Sequence, residues 1–458
     1  MKKKTYKDSC LLINFGNNKN VSDILKDGKF SIGIDSKFTD INFDLFDAMR
    51  KMITIENDHI LDYNIIKSLN NFYSEYIEQL TRWNISDNDF PDPRYLYDDF
   101  INSLNYWYNF LKYFNISKIY IFEDPHRSYD LLIYALSKQF KIKIYIFSHL
   151  NTGYRTFIKQ HIDDNLLSVK GNFPYANREI SNELKYIHFN AQFVYRTNFE
   201  RINDIIKKIP KIFKYHNTYI YSNRKAFIKI NPFKFLIWRM KRYVRTVIYK
   251  FYYNKYAKFF IVNDSDIVFY LHYEPERTLN PLSGEGRNQL YCIKMLRKSF
   301  PQKKIYIKEH PSQLNLKNTH LNRQFRDKNF LDQLLLNSDG IINKIPNDSK
   351  FIVATLNGTV GLEYSLKGFD VICFGNPWYS FLTNVHNVKS SEDLVNIRFE
   401  TNNSDKIYLE LDEVLYTKSA NGSVSDKFEK MIGNNEVIGD EVELLNYIKW
   451  YFSVSEGL

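Results

Sequence analysis

Residues 116–150, ISKIYIFEDPHRSYDLLIYALSKQFKIKIYIFSHL, constrain the fold more than any other stretch of the chain. A short apolar run from Lys118 to Phe122 reads as a buried strand and ends in a polar loop. The pattern then changes to helical spacing from about Ser128 to Phe140, and a second apolar run follows from Ile142 to Phe147. Strand, helix and strand at this length form a βαβ unit, which commits the two strands to a parallel sheet. A parallel sheet is covered by helices on both faces, so the expected class is α/β.

The same grammar returns in the second half. Strand DIVFYL, helix GEGRNQLYCIKMLRKSF and strand KKIYIKEH are followed by strand FIVATL, helix TVGLEYSLKG and strand DVICFG. The first hundred residues add an opening strand at Cys10 to Phe15 and helical patterns around residues 43–53 and 65–83. With 458 residues the chain exceeds what one core usually organises. The expectation is two Rossmann-type domains facing a cleft: an acceptor-side α/β domain at 1–210, a basic linker at 211–262, a second Rossmann-like domain at 263–425 and a helical segment at 426–458. One irregularity stands out. Between GIINKIPNDS and FIVATL there is no room for a crossover helix, so either the strand at Ile341 is outside the sheet or the connection is shortened.

The linker carries the charge. Thirteen Lys and Arg lie between Lys211 and Phe260 without one Asp or Glu, which accounts for the chain's net charge of +11. Leu236, Met240, Tyr243, Val244, Val247, Ile248 and Phe251 fall at helical spacing, with Lys234, Arg242, Arg245 and Lys250 mostly on other faces. Such a helix either packs on its own protein or lies on an anionic membrane surface. Nucleic acid is not an expected partner, because no binding motif accompanies the charge and the aromatics reflect a chain with 35 Tyr and 36 Phe. Cys10, Cys292 and Cys373 are too few and too far apart for a disulfide framework or a zinc site. No signal-peptide core or membrane-span run is present in the sequence, and the expected place is the cytoplasm, peripheral on the inner face of the membrane.

Ligands of open parallel sheets sit at the carboxyl ends of the strands, so polar groups that end apolar strands are the site candidates. In KIYIKEHPSQ, alternation puts Lys308 and His310 on one face, where two nitrogen donors suit an anion such as phosphate; Glu309 points the other way and anchors the loop. Pro311 holds His310 extended. In ATLNGTVGLEYSLKG the chain turns on Asn357 and Gly358 and opens a helix at Thr359, whose first amides and hydroxyl favour an anion. Glu363 either pairs with Lys367 or accepts from ribose hydroxyls. A third strand end brings His272, Glu274, Glu276, Arg277 and Thr278, and the N-terminal half offers Glu123, Asp124, His126 and Arg127. Catalytic base or nucleophile candidates are Asp124, ranked first because Pro125 holds it extended, then Glu123 and His126. The DSD at Asp264–Asp266 precedes its strand and is discounted; no metal is expected.

LHYEPERT, IKEHPS and ATLNGTVGLEYSLKGFDVICFGNPWY resemble, in order and spacing, the bacterial capsular-polysaccharide biosynthesis family that includes the Kdo transferases of capsule and lipopolysaccharide assembly. DPHRSYDLLIYALSKQFKIK is similar to that family's N-terminal signature, so the likeness covers roughly residues 115–380. The resemblance implies a GT-B fold and a metal-independent glycosyltransferase. It implies no cofactor beyond a nucleotide-sugar co-substrate, most familiarly CMP-Kdo, and a glycan or glycolipid acceptor. By the same analogy His310 would contact the donor phosphate, Gly358 and Thr359 would assist through their amides, Glu363 would hold the ribose, and Arg277 beside Glu276 would meet a sugar carboxylate. Two other readings stay open: a CDP-alditol phosphotransferase of the teichoic-acid type, and a non-catalytic glycan or lipid-carrier binding protein.

Overall fold

The computed structural model describes residues 9–15, 19–25, 28–33, 41–44, 48, 51, 53–55, 59–83, 93–150, 155–174, 220–221, 224–225, 232–274, 283–311, 313–314, 326–345, 349–400, 402–422 and 441–456. Two compact units divide the chain: one holds Met1–Thr81, Pro91–His188 and Asp412–Leu458, the other Arg82–Phe90 and Phe189–Leu411. The boundary expected near residue 425 therefore falls at Leu411. The last segment is not a separate appendage but returns to the first unit.

The first unit is built on β1 (Ser9–Ile13), β2 (Gly28–Gly33), β3 (Ile41–Asp44), β4 (Ile116–Phe122), β5 (Lys143–His149) and β6 (Arg155–Lys159). Their spatial order is β6-β5-β4-β1-β2-β3, extended beyond β6 by the short strand Ala420–Asn421. All pairs from β5 to β3 are parallel, and β6 runs antiparallel to β5. That is a 3-2-1-4-5-6 order with an inverted last strand, and the order reverses between β1 and β4. The helical pattern around 43–53 overlaps a strand at its start, since Ile41–Asp44 pairs with β2 at the sheet edge; Ala48 is helical, and much of the remaining stretch lies outside the described residues.

Helix α1 (Pro93–Tyr113) packs on α2 (Ser128–Gln139), and every residue of α2 from Ser128 to Ser137 is buried. An apolar helix with no wet face belongs inside the unit. The terminal helix Glu441–Glu456 closes the same unit: Glu456 accepts from Lys118 Nζ at 3.2 Å and Tyr145 Oη at 2.6 Å, and Phe452 meets the Tyr145 ring edge-on at 4.9 Å.

The second unit contains α3 (Pro232–Tyr256), β7 (Ala257–Lys258), β8 (Ile267–Tyr270), α4 (Gln289–Ser299), β9 (Ile305–Lys308), α5 (Lys328–Leu335), β10 (Gly340–Ile342), β11 (Ile352–Thr355), α6 (Thr359–Ser365), β12 (Val371–Cys373) and β13 (Val385–Asn387). The strands lie in the order β13-β12-β11-β8-β9-β10-β7, all parallel. Counted from β8 this is again 3-2-1-4-5-6, with β7 added at the edge. Both units are therefore Rossmann-type α/β layers.

The irregular connection has a plain resolution. Ile341 is in the sheet, beside β9, and β11 lies on the far side of β8. The link must pass two strands, about 14 Å across, and residues 343–351 can span roughly 30 Å when extended. No crossover helix is needed.

Candidate functional site

In the second unit the sheet order reverses between β8 and β11, and the exits of these strands and of β9 carry the polar residues. After β8 the chain presents His272, Tyr273 and Glu274. Gln289, the first residue of α4, takes the His272 N–H at 2.7 Å through Oε1 and donates to Glu274 through Nε2. Gln313 accepts the Glu274 N–H at 3.1 Å, and Arg326 Nη2 donates to the His272 carbonyl at 2.9 Å. The loop is thus pinned from three sides before any ligand arrives.

Glu309 supplies the deepest anchor, as its place on the opposite side from His310 implied. Its carboxylate accepts from Tyr249 of α3 and from the His310 N–H at 2.8 Å, and it faces Arg326 Nε at 3.5 Å. Glu309 and Arg326 are 2% and 4% exposed, so this is a buried ion pair. Burial pushes the Glu309 carboxyl above its ordinary range, and Arg326 is the strongest group pulling it back. The guanidinium also lies over the Phe330 ring, 4.2 Å from its centroid.

His310 is half-buried with its ring 5.7 Å from that of Tyr273, which brings the exits of β8 and β9 together. Lys308 does not share this position. Strand β9 ends at Lys308, so alternation stops there, and its ammonium donates to the Asn343 carbonyl at the exit of β10. Losing water lowers the pKa of Lys308.

At the exit of β11 the helix cap is Gly358, and α6 begins at Thr359, which is exposed. A side chain at Gly358 would stand 3.0 Å from Thr355 Oγ1 and 3.7 Å from His272 Nδ1, so the His272 ring borders this turn. Tyr379 Oη donates to the Gly358 carbonyl at 2.5 Å, and Asn357 Nδ2 donates to Ser283 Oγ at 2.9 Å. The turn at Gly284–Arg287 closes on the next strand exit, where a Cβ at Gly286 would lie 2.3 Å from the Phe374 carbonyl oxygen. Glu363, one turn into α6, makes no ion pair with Lys367 among the described residues; Lys367 Nζ instead sits 5.1 Å from the Tyr364 ring centroid. Burial raises the Glu363 carboxyl to about 7, opposed by Lys367. Glu276 and Arg277 lie outside the described residues, as does Thr278.

In the first unit the reversal point lies between the exits of β1 and β4. Asn14 and Glu123, which end these strands, both take left-handed backbone conformations, with φ of 61° and 68°. Such strain in non-glycine residues is held only where the surroundings over-determine it. Tyr129 Oη donates to Asn14 Oδ1 at 3.0 Å. Asp124 is buried and committed: Lys159 Nζ lies 2.7 Å from Oδ1, and Ser148 Oγ donates to Oδ2 at 3.2 Å. Its carboxylate ties the exit of β4 to β6. His126 Nδ1 lies 3.0 Å from the Asp124 carbonyl; a carbonyl only accepts, so Nδ1 carries a hydrogen. Asp130 caps α2 by accepting the Arg127 N–H at 2.8 Å, and burial raises its carboxyl to about 7.

Arg326, Gln289, Gln313 and Asn14 had no sequence signal beyond composition, because each acts through a partner distant in the chain.

Residues 176–392 match the family model described as capsule polysaccharide biosynthesis protein, a little under half of the chain. The matched segment contains the whole strand set of the second unit and each donor-side candidate named above. No curated protein matches the chain in sequence. Among solved structures, the beta Kdo 2,7 transferase of Thermosulfurimonas dismutans KpsC is similar at 11% identity over 75% of this chain and 89% of its own, with a TM-score of 0.32. Its beta Kdo 2,4 transferase gives 13% identity over 65% and 79%, TM-score 0.25. A UDP-GlcNAc 2-epimerase from Neisseria meningitidis gives 12% identity over 89% and 99%, TM-score 0.20.

Proposed function

We propose that this protein is a glycosyltransferase of capsule or lipopolysaccharide biosynthesis. It moves a sugar from a nucleotide-activated donor, with CMP-Kdo as the leading candidate, to a surface-polysaccharide or lipid-linked acceptor on the cytoplasmic side of the membrane. The observation that supports the reading is that His272 borders the Gly358 turn and His310 lies beside Tyr273, at the exits of β8, β9 and β11 and at the reversal of a 3-2-1-4-5-6 sheet inside the segment that matches the capsule-family model. That is where such sheets hold nucleotides.

On this reading His310 and the first amides of α6 take the donor phosphate, and Glu363 takes ribose hydroxyls. As the bond between the anomeric carbon and the phosphate oxygen breaks, negative charge grows on the phosphate, and fixed N–H donors stabilise it. The acceptor hydroxyl gives its proton to a base as its oxygen joins the anomeric carbon. His126 ranks ahead of Asp124 for that role, because Asp124 is spent on Lys159 and Ser148. Glu123 remains the carboxylate alternative at the same strand exit.

The test is a thermal-shift panel of CMP, CDP, UDP and GDP, followed by transfer assays with the nucleotide that binds. His310→Ala should melt with the wild type and lose at least about a hundredfold in turnover. A folded H310A protein of full activity would sink the site. A product joined through a phosphodiester would replace glycosyl transfer with alditol-phosphate transfer.

A further inference from the structure

Helix α3 has two faces of opposite character. Tyr249, 1% exposed, and Tyr253 sink into the core of the second unit beside Ile307, Leu331 and Ile341, and Tyr252 lies under Lys328 of α5. The other face is apolar and wet: Ile237, Met240, Val244, Val247 and Phe251 repeat at steps of three and four, flanked by Tyr243 and Ile248. Met240 is 61% exposed and Phe251 63%. At 100° per residue these seven side chains cover a stripe about 140° wide, opposite Tyr249 and Tyr253. Lys241 and Arg245, both exposed, border one side of the stripe, and Lys250 borders the other.

We infer that this face of α3 docks the protein on an anionic lipid surface, with the stripe entering the boundary between headgroups and acyl chains and the flanking cations at the headgroups. The charge decides the occupant. A stripe with a three-four repeat also suits pairing with a second copy of the helix, but two copies would set basic flanks against basic flanks. No acid lies between Lys211 and Phe260 to offset them. An anionic surface complements the same flanks and accepts the wide stripe, the pattern of helices that lie in the membrane interface. No helix among the described residues is long and apolar enough to cross a membrane, so the contact is with its surface. This inference is independent of what the donor site binds.

Cosedimentation tests it. The full chain should pellet with phosphatidylcholine vesicles that contain phosphatidylserine at low ionic strength, release as salt rises, and stay in solution with phosphatidylcholine alone. A Val247→Glu and Phe251→Glu protein should pellet at least about tenfold less, because it puts charge into the stripe. A milder Met240→Ser and Phe251→Ser protein should fall in the same direction, and it serves if the first pair fails to fold. Lys241→Gln with Arg245→Gln should remove the preference for the anionic vesicles. Equal pelleting of wild type and the stripe variants would overturn the inference. So would a wild-type protein that ignores all vesicles, or one that sediments without lipid as a dimer which the stripe variants make monomeric.

Discussion

Replacing Arg326 by Met should cost the second unit more than any exposed change. The guanidinium is 4% exposed and compensates Glu309, 2% exposed, while its Nη2 holds the His272 carbonyl at 2.9 Å. With Arg326 gone, Glu309 keeps the Tyr249 hydroxyl and the His310 N–H but loses the only cation facing it among the described residues. Breaking one side of a buried pair costs about 3–5 kcal/mol. For a unit of this size, at about 2–4 °C per kcal/mol, the transition should fall by roughly 6–20 °C.

The loss should depend on pH in a defined sense. Burial already raises the Glu309 carboxyl, and removing Arg326 raises it further. A carboxyl that holds its proton more tightly when folded contributes stability at low pH and loses it as pH rises from its unfolded value, near 4.3, through its folded one. The gap between wild type and R326M should therefore widen as pH rises above the unfolded carboxyl value. Calorimetry at a series of pH values measures it. Glu309→Gln combined with Arg326→Met should recover much of the loss, since no charge is then left buried. A single R326M protein that melts with the wild type at every pH would refute the reasoning.

In the first unit, Asp124→Asn should destabilise by about 3–5 kcal/mol because the buried Lys159 ammonium loses its countercharge and keeps only the Ile162 carbonyl, and Lys159→Met in the same chain should restore most of it. His126→Ala should leave melting unchanged and lower turnover by about 10²- to 10⁴-fold; a fully active H126A protein would return the base to Glu123. Glu363→Gln should flatten the fall of stability between the unfolded carboxyl value near 4.3 and the folded value of about 7, leaving the slope that Asp130 contributes, and melting curves against pH show this directly.

The local grammar of this protein was legible in its sequence. Apolar runs bounded by polar loops marked β4, α2 and β5 within a residue or two, because a strand covered on both faces has no polar alternative. The same logic located the exits of β8, β9 and β11, and the alternation of side chains was enough to send Glu309 away from His310. Alternation failed for Lys308, where the strand stops, because periodicity says nothing about which carbonyl a long side chain reaches. Asp124 looked open for catalysis, and only the antiparallel return of β6 brought Lys159 to its carboxylate. The ion pair of Glu309 with Arg326, the strained Asn14 beside Tyr129, and the return of Glu441–Glu456 to the first sheet likewise joined distant segments. Backbone periodicity is a property of neighbours in the chain, and burial of charge is a property of neighbours in space. The order of parallel strands, which no local signal encodes, converts one into the other.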